Sequence, residues 1–184
     1  MTVTAKGPGL AGVLKNVRAL TRTDVLVGVP AEKAERPSEP GETGERPNNA
    51  ALAYIHDTGM PEQNIPARPF MAPGIAEGEG AITKAYALAG QQALIGDEAG
   101  MIRAQHMAGL AAQNAIRGKI NEGIAPPLSE RTLRARAARG RKGAIKELKA
   151  RAKGEAPTLT NAKPLIDTGQ LRNSITYVIR PRGE

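Results

Sequence analysis

The sequence contains no cysteine and no tryptophan, and it has one phenylalanine and three tyrosines in 184 residues. The missing cysteine excludes disulfides, thiolate zinc sites and thiol nucleophiles. Scarce aromatics leave the core to Ala, Ile, Leu and Val, because a buried aromatic ring normally contributes about 150–250 Å². One copy alone is therefore expected to be modestly stable and to gain stability from neighbouring subunits. No apolar run reaches the length of about 18 residues that a membrane-spanning helix needs, so no membrane partner is expected. Residues 1–12 carry one Lys and no apolar stretch of the kind a signal peptide requires. The expected setting is bacterial or viral cytoplasm, or a particle assembled there.

Catalytic residue types are equally scarce. His56 and His106 are the only histidines, and each falls inside a helical pattern, where a packed or surface role is the plain reading. His56-Asp57 has no third ligand at metal spacing. Gly7-Pro8-Gly9 and the glycines between positions 74 and 80 lack the Lys-Ser/Thr of a phosphate-binding loop. No catalytic residue, metal site or cofactor is expected.

Charge is what the sequence does have. The net charge is +8. Residues 128–153 hold Arg131, Arg134, Arg136, Arg139, Arg141, Lys142, Lys146, Lys149, Arg151 and Lys153 against Glu130 and Glu147 alone. The whole surplus therefore sits in this segment, and the other 16 bases and 16 acids cancel. The segment has good helix formers and Ser129 as an N-cap. Gly140 and Gly143 interrupt it, and its apolar residues are too sparse for a core-facing helix. It reads as a basic arm that folds on contact. A solvated helix, docking onto an acidic protein, and nucleic-acid contact are its three candidate roles. Without aromatics to stack bases, any nucleic-acid contact is non-specific.

The remaining pattern predicts an α+β fold. Leu10, Val13, Leu14 and Val17 have helical spacing, and residues 24–30 read as a Val-rich strand stopped by Pro30. Residues 31–47 are a long polar loop, expected to be mobile. Asn48 or Asn49 caps a helix that Gly59 ends, with Ala50, Tyr54 and Ile55 as its buried stripe. Residues 60–73 hold four prolines, are expected to be extended rather than helical, and place Phe70 in a pocket. A long helical region over 75–121 breaks near Gly96, with Asp97 capping its second half. Its apolar faces run through Ile82, Tyr86, Ala89 and Ala93, then Met101, Ala108, Ala112 and Ile116. Residues 154–164 read as a linker. Asp167 or Thr168 caps a short helix, and residues 174–181 alternate as a half-buried strand that pairs with 25–29. The expected whole is one domain of 1–127 and 154–184: a small antiparallel sheet, its first and last strands paired, packed on the helices. The arm, 128–153, is inserted before the last strand.

IHDTGMPEQNIPARPFMAPGI, and PPLSERTLRAR followed by KPLIDTGQLRNSITYVI, resemble in this order the signatures of the tailed-phage tail-completion and neck proteins (the virion morphogenesis, or minor tail protein, family). The resemblance covers roughly 48–76 and 98–180. It implies a non-catalytic α+β subunit forming a ring, six-fold in expectation, at the joint between capsid and tail. Partners would be phage connector and tail proteins, with genomic DNA in the lumen as a further contact. The location would be the virion neck or upper tail, assembled in the host cytoplasm. Ile65, Pro66, Ala67, Arg68, Pro69 and Phe70 match the first motif. Pro127, Leu128 and Thr132 match the middle one. Leu165, Ile166, Asp167, Thr168, Gly169, Leu171, Ser174 and Ile175 match the last. All are expected to be architectural. The stretch from 132 to 164 is longer and more basic than that pattern, so the arm inherits nothing from it. A non-specific nucleic-acid-binding protein is the alternative reading, and a hydrolase is disfavoured by the lack of a paired acid/base site.

Overall fold

A computed structural model describes residues 9–36 and 47–183. Helix α1 (Gly9–Thr21) leads into strand β1 (Thr23–Gly28), a short helix α2 (Ala31–Ala34) and helix α3 (Asn49–Thr58). Helices α4 (Met71–Ile95) and α5 (Glu98–Glu122) follow, then α6 (Glu130–Ala138), α7 (Lys142–Ala152), α8 (Gln170–Ser174) and strand β2 (Thr176–Pro181). The fold is α+β, with β1 and β2 forming an antiparallel two-stranded sheet against long helices. Its register pairs Val25 with Ile179, Leu26 with Val178 and Val27 with Tyr177.

α4 and α5 make an antiparallel hairpin because Gly96 turns the chain at φ 82° and ψ 11°, and the Asp97 side chain accepts the Gly100 amide at 2.8 Å. Ala89, Ala93, Met101 and Ala104 fill the helix interface, and Val17 and Leu20 of α1 pack over them. Small facing side chains let the backbones approach, which substitutes van der Waals contact for the missing aromatic area. The sheet lies on α5. A Cβ at Gly109 would sit 2.3 Å from Tyr177 Cδ2, so the ring fills the space a side chain would need. Two buried glutamines fasten the strands: Gln105 Nε2 donates to Thr23 Oγ1 at 2.6 Å, and the Thr176 hydroxyl donates to Gln113 Oε1 at 2.9 Å. The main apolar cluster is Phe70, Ile116, Ile120, Leu165 and Ile175, with Val27 and Met71 against it.

Several local expectations need correction. The polar loop begins with helix α2, while residues 37–46 lie outside the described residues, as do 1–8. The proline-rich segment contains a 3₁₀ turn, Pro61–Gln63, and α4 starts at Met71 rather than Ile75. Pro73 falls in the first turn of α4, where its missing N–H costs nothing. Tyr54 is 71% exposed and Tyr86 39% exposed, so neither belongs to a buried stripe. Of residues 154–164, expected to be a linker, 154–157 are exposed, whereas the second half packs on the hairpin, with Ala162 and Pro164 buried.

The basic arm differs most. It is a helical hairpin, α6 and α7, built on its own apolar cluster of Leu128, Leu133, Ala144 and Ala162. Few apolar residues suffice because the hairpin packs against 158–167 rather than against the main core. Gly143 does not break a helix: it lies inside α7, where an added Cβ would sit 2.2 Å from the Asn161 carbonyl oxygen.

Candidate functional site

The three motif segments, far apart in sequence, meet at one joint. The Arg68 backbone N–H donates to the His56 carbonyl at 2.7 Å, so the segment after the 3₁₀ turn runs back along α3. The Arg68 guanidinium is 5% exposed and gives Nε (3.1 Å) and Nη2 (2.8 Å) to the Pro126 carbonyl. Burial lowers its pKa. The Arg68 guanidinium thus holds the turn at Pro126 to the extended segment. Ile65 and Met60 exchange backbone bonds at 2.8 and 3.0 Å, and Pro66 and Pro69 are exposed residues that hold the chain extended. Phe70 is 0% exposed among Ile116, Ile120, Leu165 and Ile175. The start of α4 is capped from outside, because Asp57 Oδ1 accepts the Phe70 and Met71 amides at 2.7 and 3.0 Å. Asp57 was missed in the sequence. Its signal was a carboxylate at the end of a helix followed closely by another helix start.

The last motif forms the other side of the joint. Leu165, Leu171, Ser174 and Ile175 are buried, and the Ser174 hydroxyl donates to the Leu171 carbonyl at 2.7 Å. Arg117 on α5 donates to the Ile175 carbonyl at 3.0 and 2.6 Å and to that of Asn173 at 3.1 Å. Gly169 is the cap residue of α8, at φ 83°, where a side chain would be strained. Neither Asp167 nor Thr168 is the cap expected from the sequence. Thr168 is exposed, and its hydroxyl is 3.4 Å from the Gln170 amide. Asp167 turns to the hairpin, where its carboxylate accepts from Arg139 at 2.5 Å and from Arg141 at 2.9 Å, with Arg136 Nε 3.8 Å away.

A polar recess of about 180 Å³ lies between α2–α3 and α8, lined by Asn49, His56, Arg136, Asp167 and Gln170 among others. Asn49 is fastened by its amide N–H groups to the Lys33 and Glu35 carbonyls at 3.3 and 3.1 Å. Asn49 Oδ1, His56 Nδ1 and Gln170 Oε1 have no protein partner. Burial, then the Arg68 and Arg136 charges, lower the His56 pKa, which keeps the imidazole neutral. The Asp167 oxygens are taken by arginines. His106, on the far side of α5, meets Tyr177 instead, with Nδ1 3.2 Å from the hydroxyl. Among the described residues, no group of three or more His, Asp or Glu side chains could hold a metal ion.

The ten cations of 128–153 divide into two sets. Arg136, Arg139, Arg141 and Arg151 are engaged within the fold, Arg136 and Arg151 turned inward and Arg139 and Arg141 nearer the surface on Asp167, whereas the whole arm was expected to be free for partners. Arg136 donates to the Lys163, Pro164 and Ile166 carbonyls at 2.9, 2.7 and 2.9 Å, and burial lowers its pKa although Asp167 opposes this. Arg151 donates to Glu147 at 3.1 Å and to the Leu128 carbonyl at 3.0 Å. Glu147 is 0% exposed and accepts also from the Thr158 amide, the Thr158 hydroxyl and Asn161 at 2.8, 2.9 and 2.9 Å. The outward set is Arg131, Arg134, Lys142, Lys146, Lys149 and Lys153, all exposed. Arg134 pairs with Glu130 one turn away. The side chains of the four lysines make no hydrogen bond or ion pair among the described residues. Ser129 does cap α6, its hydroxyl accepting the Thr132 amide at 3.3 Å.

Among the described residues, no helix is long and apolar enough to cross a membrane. Comparison with protein-family models, curated proteins and solved structures finds no match for this chain.

Proposed function

We propose that the protein is a non-catalytic structural subunit of a tailed-phage virion, forming a ring at the head–tail joint. One observation carries the assembly reading: the large apolar side chains left in solvent. Leu10, Tyr54, Leu94, Ile95 and Met107 are 54–75% exposed, and Leu14, Leu26, Ile102 and Leu110 are 42–48% exposed. Contiguous apolar surface marks protein interaction sites, and Leu94 and Ile95 are adjacent at the end of α4. The residues lie on α1, β1, α3 and the α4–α5 hairpin. Two different faces meeting head to tail generate a ring where the rotation between subunits closes, and an open filament where it does not. The tailed-phage assignment rests on the motif resemblance. It is supported by the way Arg68, Phe70, Leu165 and Ile175 are spent on packing, as architectural positions would be.

Native mass spectrometry and electron microscopy of the purified chain test the ring. Closed oligomers are expected, and Leu94→Asp with Ile95→Asp should return them to monomers. A parent chain that stays monomeric at high concentration would refute the assembly reading. Labelled antibody against the chain should mark the neck or upper tail of assembled particles. Particles without it there would refute the location.

A further inference from the structure

We propose that Lys142, Lys146, Lys149 and Lys153 form a docking rail for the phosphate backbone of double-stranded nucleic acid. Their spacing of four, three and four residues places them on one line along α7 and its C-cap residue, Lys153, because 3.6 residues make a turn. The rail is about 16 Å long at 1.5 Å per residue, which matches roughly five base pairs of duplex axis. All four side chains are exposed. Among the described residues, no acid pairs with them. Glu130 is paired with Arg134, Glu147 is buried on the opposite side of the hairpin, and Glu155 makes no ion pair with them. Four like charges one turn apart repel one another, while the hairpin satisfies its inward arginines one by one.

Two observations select a nucleic acid over the other polyanions. The exposed large apolar side chains lie on α1, β1, α3, α4 and α5, and α6 and α7 carry none of them. Protein interfaces are built around aromatic and apolar anchors and are depleted in Lys, so the hairpin lacks what an acidic protein partner would grip. An anionic membrane would need an apolar face to insert, and the opposite side of α7 is covered, with Ala144 and Glu147 buried. What remains is a row of point charges suited to phosphates, with no planar donors or rings to read bases. Binding is therefore sequence-independent.

The test is fluorescence anisotropy of the full chain with short random-sequence DNA and RNA duplexes across a salt series. If the rail neutralises two to four phosphates, log K falls with log salt at a slope of about −1.8 to −3.6 per bound chain. That is an affinity loss of about 12- to 150-fold between 50 and 200 mM salt. Changing the four lysines to Gln should remove this slope with the far-ultraviolet dichroism unchanged. A charge-matched control with Arg18, Arg22, Lys33 and Lys84 changed to Gln should retain it. Equal loss in both variants would make the effect one of net charge and overturn the rail. Poly-glutamate or anionic vesicles captured as tightly as duplex, through the same lysines, would overturn the choice of partner. The apolar faces assigned to ring contacts are elsewhere, so the Leu94→Asp, Ile95→Asp variant should still bind duplex. Loss of the rail therefore reads separately from loss of the ring.

Discussion

Replacing Glu147 with Ala removes one buried carboxylate and strands four donors at once. Arg151 Nε, the Thr158 amide, the Thr158 hydroxyl and the Asn161 amide all lose their acceptor. Removing one partner of a buried ion pair costs about 3–5 kcal/mol. Each stranded neutral donor costs about 1–3 kcal/mol where water cannot reach it. These terms overlap, and Thr158 and Asn161 are half-buried, so about 3–5 kcal/mol is the expected total. The damage should stay local, because Leu128, Leu133, Ala144 and Ala162 form a cluster apart from the one around Phe70. Native-state hydrogen exchange is the assay. Amides of α7 should lose at least about 100-fold in protection, since 1.4 kcal/mol corresponds to a factor of ten. Amides in the middle of α5 should keep theirs. α7 protection within a few-fold of the parent would refute the claim that Glu147 organises the hairpin. Acid gives the same answer by another route. Burial pushes the Glu147 carboxyl up, but the bonds from Thr158, Asn161 and Arg151 outweigh it and bring it from 4.5 to about 2. A depressed carboxylate stabilises the fold fully above 4.5 and loses that contribution as pH falls toward 2. The hairpin should hold at pH 5 and weaken below about 4.5.

Phe70→Ala should lower stability by about 3–5 kcal/mol in urea unfolding, because the ring is fully enclosed. Gly109→Ala should cost about 1–3 kcal/mol in the same assay by driving a Cβ into the Tyr177 ring. His56 should make stability fall as pH drops below 6.5. Its lowered folded-state pKa means that the unfolded chain binds the proton first, and His56→Gln should flatten that dependence.

The sequence disclosed elements whose cause is local. Asn48, Gly96, Asp97 and Ser129 each act through a neighbouring backbone group, so spacing alone located the caps and turns. The pairing of the first and last strands was legible because residues 24–30 are Val-rich and end at Pro30, and residues 174–181 alternate. What could not be read depended on partners far along the chain. Asp167 resembled a helix cap until Arg139 and Arg141, more than 25 positions earlier, took its oxygens. Residues 128–153 looked too polar to pack because periodicity counts apolar residues, and this hairpin is organised around a carboxylate. Glu147 was visible as one of two acids in that stretch, and its isolation among cations was the available signal. The recess at His56 joins α3 to α8, and nothing in either segment alone indicates the other.

The pairing of β1 with β2 also sets an order of events during synthesis. Asp24 and Arg182 are 158 positions apart, yet they are joined, with Arg182 Nε and Nη2 donating to Asp24 Oδ1 at 3.0 and 2.9 Å. At about 5–20 residues per second, β1 leaves the ribosome roughly 8–30 s before its partner exists. Until then the Thr23–Gly28 segment has no ladder, and Gln113 and Tyr177 have not met their neighbours across α5. The α4–α5 hairpin can form meanwhile from contacts close in sequence. The outer sheet face, where Leu26 stands beside Val178, is thus completed last. A chain cut short before residue 176 would carry the helical apolar faces without the sheet, and any neighbour that reads both surfaces would reject it.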